Sequence, residues 1–138
     1  MPAITWTPEL AVGHTRIDDT HREFVGLLCD VESALTAPVA ELTQRLDAFA
    51  AHTVAHFAQE EAWMLELGFA PDTCHFFQHK QVLEVVAAVQ KRLAEQGDVA
   101  TVSLLVKGLV PWFTHHASNL DAPLAEALAL REGASTAA

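Results

Sequence analysis

Apolar residues recur along four stretches of the chain at intervals of three and four, which is the period of an α-helix. The stretches are 17–35, 38–68, 71–97 and a last one that runs from residue 98 to Pro123. Glycine and proline separate them, as is typical of residues that end one helix and begin the next. Short loops between four helices favour antiparallel neighbours. The pattern therefore predicts an all-α protein, an up-down-up-down four-helix bundle.

The two ends of the chain lack this period. Residues 1–16 contain Trp6 and two prolines, which predicts an extended N-terminal arm that packs on the bundle through Trp6. The small residues of 133–138 predict a flexible C-terminal tail. We therefore expect one domain over 1–132 and a tail over 133–138. Pro123 is expected either to end the fourth helix or to open a short final one.

Charge and composition narrow the possible partners. Eight Lys and Arg against eighteen Asp and Glu give a formal net charge of -10, which is the wrong sign for binding a phosphate backbone or an anionic membrane. The first residues lack the charged and apolar regions of a signal peptide, and no apolar run reaches the roughly 18 residues of a membrane span. With only Cys29 and Cys74 present, a disulfide framework is not expected. We expect a cytoplasmic monomer that binds neither nucleic acid nor membrane.

Histidines and carboxylates fall on the helix faces that are predicted to point inward. On the second helix, His56 and Glu60 are four residues apart, so a turn of about 3.6 residues places them on one face. His75 and His79 repeat this spacing on the third helix. The first helix adds one histidine, and the fourth adds a histidine and an aspartate. The full set of candidate ligands is His21, His56, Glu60, His75, His79, His116 and Asp121.

A shared metal site accounts for this set better than separate roles do. Taken singly, each pair is more often a solvated pair or a satisfied core histidine. Together, five imidazoles and two carboxylates in one apolar core would cost on the order of several kcal/mol unless partners or a metal satisfied them. Asp121 is the least regular member, because residues five apart differ by roughly 140° around a regular helix. Either its side chain reaches across, or a local π-type turn brings it to the face of His116.

The candidate ligands stand in four phrases that resemble those of the hemerythrin family, specifically its single-domain bacterial members. The phrases are Ile-Asp-Asp-Thr-His at 17–21, His-Phe-Ala-Gln-Glu-Glu at 56–61, His-x-x-x-His at 75–79 and Trp-Phe-x-x-His-x-x-x-x-Asp at 112–121. Their order and spacing cover nearly the whole chain. The resemblance implies two iron ions, ferrous or ferric. It implies His75, His79 and His116 on one iron, His21 and His56 on the other, and Glu60, Asp121 and an oxo or hydroxo group as bridges.

The implied ligand count predicts oxygen binding. An octahedral iron takes six ligands, so the iron with three histidines and three bridges is closed, whereas the iron with two histidines keeps an open position. Dioxygen is the natural occupant, and small anions can enter the same position. We expect a protein, not an enzyme, that binds dioxygen reversibly for storage, delivery or sensing.

Two alternatives stay open at this stage. One is a di-iron enzyme that reduces oxygen, peroxide or nitric oxide, and the other is a structural bundle with core histidines or zinc. Five imidazoles against two carboxylates suit binding better than oxidation, because oxygen-activating di-iron bundles are richer in carboxylates. Nitrogen donors also suit zinc, copper or manganese, so the choice of iron depends chiefly on the resemblance.

Four further residues are expected to line the oxygen site: Phe57, Trp112, Phe113 and Ala117. The family resemblance implies an aliphatic residue, commonly Leu, where this chain has Phe113, and a larger aliphatic where it has Ala117. These two positions are four apart and share a helix face, so we expect them to wall the site together, with a wider opening near Ala117.

The remaining histidines and polar neighbours receive structural interpretations. His115 is expected to face outward, and His52 to fill space or to orient a ligand. Glu61 is expected to face another helix or water, and Cys74 to be a buried neighbour of His75.

Overall fold

The computed structural model describes the backbone of residues 2–137 and the side chains of 2–133. Its regular elements are all helical, as predicted. The helices are α1 Thr15–Ser33, α2 Val39–Glu66, α3 Cys74–Gln96, α4 Val99–His116 and α5 Ala122–Ala137, with a π turn at Ala117–Asp121 between the last two and short 3-10 turns at Pro8–Leu10 and Ala34–Thr36. Consecutive helices pack against each other, and α1 also contacts α4, which closes a four-helix bundle.

The predicted stop and start signals set the ends of the helices. Gly97 takes a left-handed backbone with φ of 62° and ends α3 by donating its N–H to the carbonyl of Leu93. Asp98 then caps α4, because its carboxylate accepts the N–H of Thr101 at 3.1 Å. At the start of α1, the ring of His14 accepts the N–H of Ile17 at 3.4 Å, so the helix begins slightly earlier than the apolar pattern predicts.

The N-terminal arm lies along the bundle as predicted, apart from the short turn at Pro8–Leu10. Trp6 is half-buried against the core, and Ile4 is buried more deeply. The end of the arm is tied to α1, since the carboxylate of Asp18 accepts the N–H of Val12 at 2.8 Å and of the next residue at 3.2 Å. The end of the N-terminal arm is thereby held against the start of α1.

The fourth helical segment of the bundle is one continuous path made of α4, the π turn and α5. We call this segment the fourth arm, as distinct from the N-terminal arm. His116 and Ala122, which flank the π turn, both keep right-handed helical backbone. Pro123 stands in the first turn of α5, where its missing N–H is tolerated beside the widened turn. Pro123 is expected from the sequence to end the fourth helix or to open a short final one. A final helix does begin beside it, at Ala122, but it is not short, because α5 runs for 16 residues.

The structure describes most of both ends of the chain. Helical backbone runs through 133–137 of the expected tail, and residues 1 and 138 lie outside the described residues. The division of the chain at residue 132 stays a prediction. Within the described part, no helix combines the length and apolarity needed to cross a membrane.

Two apolar clusters fill the interior and leave a polar layer between them. The larger contains Phe24, Phe57 and Phe113, and the smaller contains Ile17, Trp63, Met64, Leu124, Ala125 and Leu128. Along α1, α2 and the fourth arm, the candidate ligands occupy the turns between these two clusters. The bundle therefore buries the polar set in the middle of its core, away from solvent.

Candidate metal centre

All seven candidate ligands lie in this polar layer, and each of the four helical segments of the bundle contributes at least one of them. Each of the seven is at most 6 % exposed. Burial of so many polar groups is stable only if they satisfy one another or share an ion. The inward faces predicted from the spacing are therefore the observed ones.

Glu60 lies at the centre of the cluster, and its two oxygens face different histidines. Its Oε2 is 2.7 Å from Nε2 of His56, which precedes it by one turn of α2, and 3.6 Å from Nε2 of His21. Its Oε1 is 3.3 Å from Nε2 of His75 and 3.1 Å from Nε2 of His79. The carboxylate thus stands between two groups of imidazoles.

Asp121 divides its oxygens in the same way. Its Oδ2 is 3.1 Å from Nε2 of His21, whereas its Oδ1 is 3.0 Å from Nε2 of His75 and 3.3 Å from Nε2 of His116. Two parallel carboxylates therefore face His21 on one side and His75 on the other. We call these sides the two-histidine end, formed by His21 and His56, and the three-histidine end, formed by His75, His79 and His116.

The π turn brings Asp121 into this position. In the turn, the N–H of Ala122 bonds to the carbonyl of Ala117, five residues back. Five-residue hydrogen bonds place residues five apart on the same face, so Asp121 follows His116 along the inner side of the helix. The structure thus realises the second of the two arrangements that the sequence left open.

Several ligand atoms of the cluster have no hydrogen-bond partner among the described residues. They are Nε2 of His21, His79 and His116, and both oxygens of Asp121. They lie close to one another, yet their angles do not suit hydrogen bonds. Buried orphan acceptors of this kind are rare in proteins and fit a bound cation.

The geometry supports two overlapping groups whose ligand atoms lie within 4.8 Å of one another. One is Glu60, His75, His79, His116 and Asp121; the other is His21, His56 and Glu60. Nitrogen and carboxylate donors in these numbers suit a divalent transition metal. The cluster is able to bind metal at either end.

Electrostatics in the metal-free cluster favour charged carboxylates and protonated rings. Burial lowers the pKa of His21 and of His75, but Asp121 and Glu60 outweigh burial and raise both pKa values to about 9. Burial and the charge of Glu60 raise the pKa of Asp121, but the facing imidazoles outweigh them and lower it to about 2. Burial likewise opposes the charge of Glu60, whose pKa the surrounding histidines hold well below its usual value. For His116, burial prevails and lowers the pKa.

Two outer side chains contact the far nitrogens of the three-histidine end. The Nδ1–H of His116 donates to Oε1 of Gln78 at 2.8 Å, and the Nδ1–H of His79 donates to Oε2 of Glu61 at 3.3 Å. Sequence reasoning overlooked Gln78, whose partner lies 38 residues away. Glu61, expected to face another helix or water, faces α3, and the sequence did not indicate its contact with His79.

Aromatic rings enclose both ends of the cluster. Phe57 stacks on His79 with ring centroids 3.9 Å apart, and Trp112 stacks on His116 at 4.4 Å. Phe113 meets the ring of His21 edge to face at 5.0 Å. These contacts cover faces of the imidazoles, while clefts remain beside His56 and Glu60 and beside His116.

Ala117 is buried, and a cavity lies between it and the N-terminal arm. It lines a cavity of about 150 Å³ together with Leu10, Val12 and Ser118. The small side chain at this position therefore leaves room between the arm and the π turn.

The outer residues agree only in part with expectation. His115 is exposed, as predicted. His52 is half-buried and lies 3.5 Å from Glu23, on the outer side of α1 and α2. Cys74, expected to be buried beside His75, is exposed, because it stands at the first position of α3 with its side chain on the solvent side.

Comparisons with known proteins find relatives that match most of the chain. The family model described as hemerythrin HHE cation binding domain matches residues 12–128. Bacteriohemerythrin of Ralstonia nicotianae is 38% identical over 131 residues, covering 95% of this chain and 93% of its own length. Bacteriohemerythrin of Methylococcus capsulatus is 26% identical over 123 residues, covering 88% of this chain and 93% of its own.

A similar fold occurs among solved structures. The crystal structure of a hemerythrin point mutant superposes with a TM-score of 0.80 at 25% sequence identity, covering 93% of this chain and 98% of that chain. The bundle, the buried cluster and the extent of these matches lead to one conclusion: the chain belongs to the hemerythrin family.

Proposed function

We propose that the chain holds two iron ions in this cluster and binds dioxygen reversibly at one of them, as a non-enzymatic protein for oxygen storage, delivery or sensing. The observation that carries the proposal is the division of each carboxylate. One oxygen of Glu60 and one of Asp121 face His21, while their other oxygens face His75. Carboxylates divided in this way are suited to bridging two cations. Membership of the hemerythrin family supports iron as the metal.

The proposed ligand sets follow the two ends of the cluster. His75, His79 and His116 bind one iron, His21 and His56 bind the other, and Glu60, Asp121 and an oxo or hydroxo group bridge the pair. Counted in this way, the two-histidine iron has one ligand fewer than an octahedron requires. That position would take dioxygen or a small anion such as azide.

The bound irons would supply the electrons for reversible oxygen binding, and the chain supplies the surroundings. His21 is fully buried, and the edge-to-face contact with Phe113 shields it on one side. A buried, nitrogen-rich site favours release of intact oxygen over oxidation of a substrate. This preference supports a binding protein over an enzyme.

Phe57, Trp112, Phe113 and Ala117 are the residues that we propose to shape the oxygen site. Phe113 borders the two-histidine end through its contact with His21. Phe57 contacts both ends, since its ring lies 5.2 Å from that of His56 and stacks on His79, whereas Trp112 covers His116. We propose a wider approach beside Ala117, whose small side chain leaves space toward the N-terminal arm.

We also propose that the chain works as a cytoplasmic monomer with no nucleic-acid or membrane partner. The net charge of -10 supports the second part, because it repels phosphate groups and anionic lipids. Dioxygen and small anions remain as the proposed ligands.

The first prediction concerns metal content and oxygen. Protein produced with ample iron should contain two irons per chain. After reduction, exposure to air should produce a visible absorption band that disappears under vacuum and returns with air. One zinc per chain, or no uptake of iron by the metal-stripped protein, would contradict the two-iron site. Steady oxygen consumption with a reductant, or turnover of peroxide or nitric oxide, would instead indicate a di-iron enzyme.

The second prediction separates ligands from neighbours. Glu60→Ala should weaken binding of both irons, because the carboxylate faces both ends, while His79→Ala should weaken chiefly the three-histidine end. The affinity for iron should fall at least about tenfold in each case, because removal of even a hydrogen-bond partner of a ligand typically costs that much. His115→Ala is the matched control on α4, because that side chain is exposed. Equal iron loss in all three variants, measured by metal analysis after dialysis, would show that the proposed ligands are wrong.

The third prediction concerns pH. In the metal-free protein, the pKa values of His21 and His75 are raised to about 9. Protonation therefore stabilises the fold fully below the unfolded value of roughly 6.5, and this stabilisation is lost as the pH rises through 9. From pH 6.5 to pH 9, the free energy of unfolding of the chelator-stripped protein should decrease by an amount on the order of a few kcal/mol, and its urea midpoint should decrease accordingly.

Iron-loaded protein provides the comparison for the pH experiment. Ligand nitrogens must be deprotonated to bind metal, so the loaded form should show no such fall over the same range. A metal-free midpoint that stays level or rises toward pH 9 would rule out protonated His21 and His75 as a source of stability.

A further inference from the structure

The two ends of the cluster differ in how their outer ring nitrogens are held. At the three-histidine end, Nδ1 of His116 bonds to Gln78 and Nδ1 of His79 bonds to Glu61. At the two-histidine end, Nδ1 of His21 and Nδ1 of His56 have no hydrogen-bond partner among the described residues. The inner nitrogens of both ends face the same two carboxylates, so the difference lies in the outer contacts.

An outer hydrogen bond decides whether an imidazole is ready to bind a metal. A neutral ring carries its proton on one nitrogen, and only the other nitrogen has a lone pair to offer. An acceptor beside Nδ1 holds the proton there and leaves Nε2 free toward the centre of the cluster. It also fixes the angle of the ring. A ring without such a partner has no outer acceptor that keeps its proton on Nδ1 and away from Nε2.

We propose that Gln78 and Glu61 are positioning residues that make the three-histidine end the tighter ion site, so that this end fills first. The proposal builds on the proposed function, because it takes the cluster to hold two ions. It assigns no direct metal contact to either residue, since each acts through the ring that it holds.

The placement of the two residues suits this role. Gln78 is half-buried on α3 and reaches His116 on α4, while Glu61 lies on α2 and reaches His79 on α3. Each contact therefore fixes a ring relative to a second helix as well as fixing its proton. A carboxylate partner such as Glu61 additionally makes its imidazole a more basic ligand.

The test uses cobalt(II) as the probe metal, because it takes nitrogen and oxygen ligands and can be followed by visible absorption. Metal-stripped protein is titrated in the presence of a competing chelator, which gives one dissociation constant for each step. His21→Ala assigns the steps, because it should remove the second step and leave the first. In the unaltered chain, the first step should therefore belong to the three-histidine end.

The decisive variant is Gln78→Met, which keeps a side chain of similar length but removes the acceptor. Its first dissociation constant should rise about 10–100-fold, the usual cost of losing an outer partner, and its second should stay unchanged. Gln78→Glu restores an acceptor and should recover most of the affinity. Gln81→Met is the matched control, because Gln81 lies almost one turn further along α3 and lines the same cleft beside His116.

A second readout separates positioning from general loosening of the fold. Ring N–H protons of metal-bound histidines give NMR signals shifted far outside the normal range by cobalt. In Gln78→Met, one of these signals should exchange faster with water, and in Glu61→Met a different one should do so. Loosening of the whole bundle would affect the signals together and would lower the urea midpoint as well.

Each outcome has a clear meaning. Three results would overturn the proposal. Gln78→Met could weaken cobalt binding equally in both steps, Gln81→Met could have the same effect as Gln78→Met, or the two-histidine end could fill first. If every variant binds a single cobalt, the two-ion function fails, but the affinities of Gln78→Met and Gln78→Glu at that one site still decide whether Gln78 positions its ligand. If Gln78→Met does not fold, Glu61→Met against Glu61→Gln makes the same comparison for His79.

Discussion

Burial of two carboxylates among five imidazoles is the constraint on which the structure depends. Glu60 and Asp121 are almost fully buried, where an unpaired charge would destabilise the fold strongly. The surrounding histidines offset this cost in the metal-free chain, and a pair of cations would offset it more completely. The two apolar clusters border the polar layer and lower the dielectric around it, which strengthens the electrostatic contacts within it.

The π turn is the local feature that this arrangement requires of the backbone. A regular helix would direct Asp121 away from His116, and the cluster would lose the carboxylate that parallels Glu60. The widened turn also accommodates Pro123 directly after it, so that one irregularity serves both the site and the continuation of the arm. Irregular turns of this kind are frequent at functional sites.

Much of the fold and of the candidate site could be predicted from the sequence because helical period is local information. The inward placement of His56 with Glu60 follows from a spacing of four on one helix. Contacts between helices could not be predicted in this way. Gln78 meets His116 across two helices, and Ala117 borders a space that the arm closes, so both depend on packing angles that no local pattern encodes. Cys74 differs from these cases, because adjacent helix residues differ by roughly 100° and Cys74 therefore shares the exposed face of Phe77 and Gln81, which the helical period alone could have indicated.

The central claim is that two ions share the two carboxylates while dividing the histidines between them. It is tested most directly by anomalous diffraction from crystals of the iron-loaded protein, measured above and below the iron absorption edge. We expect two iron peaks, one beside His75, His79 and His116 and one beside His21 and His56, with an oxygen of Glu60 and of Asp121 at bonding distance from each. A single peak within the cluster, or iron bound elsewhere, would contradict the account.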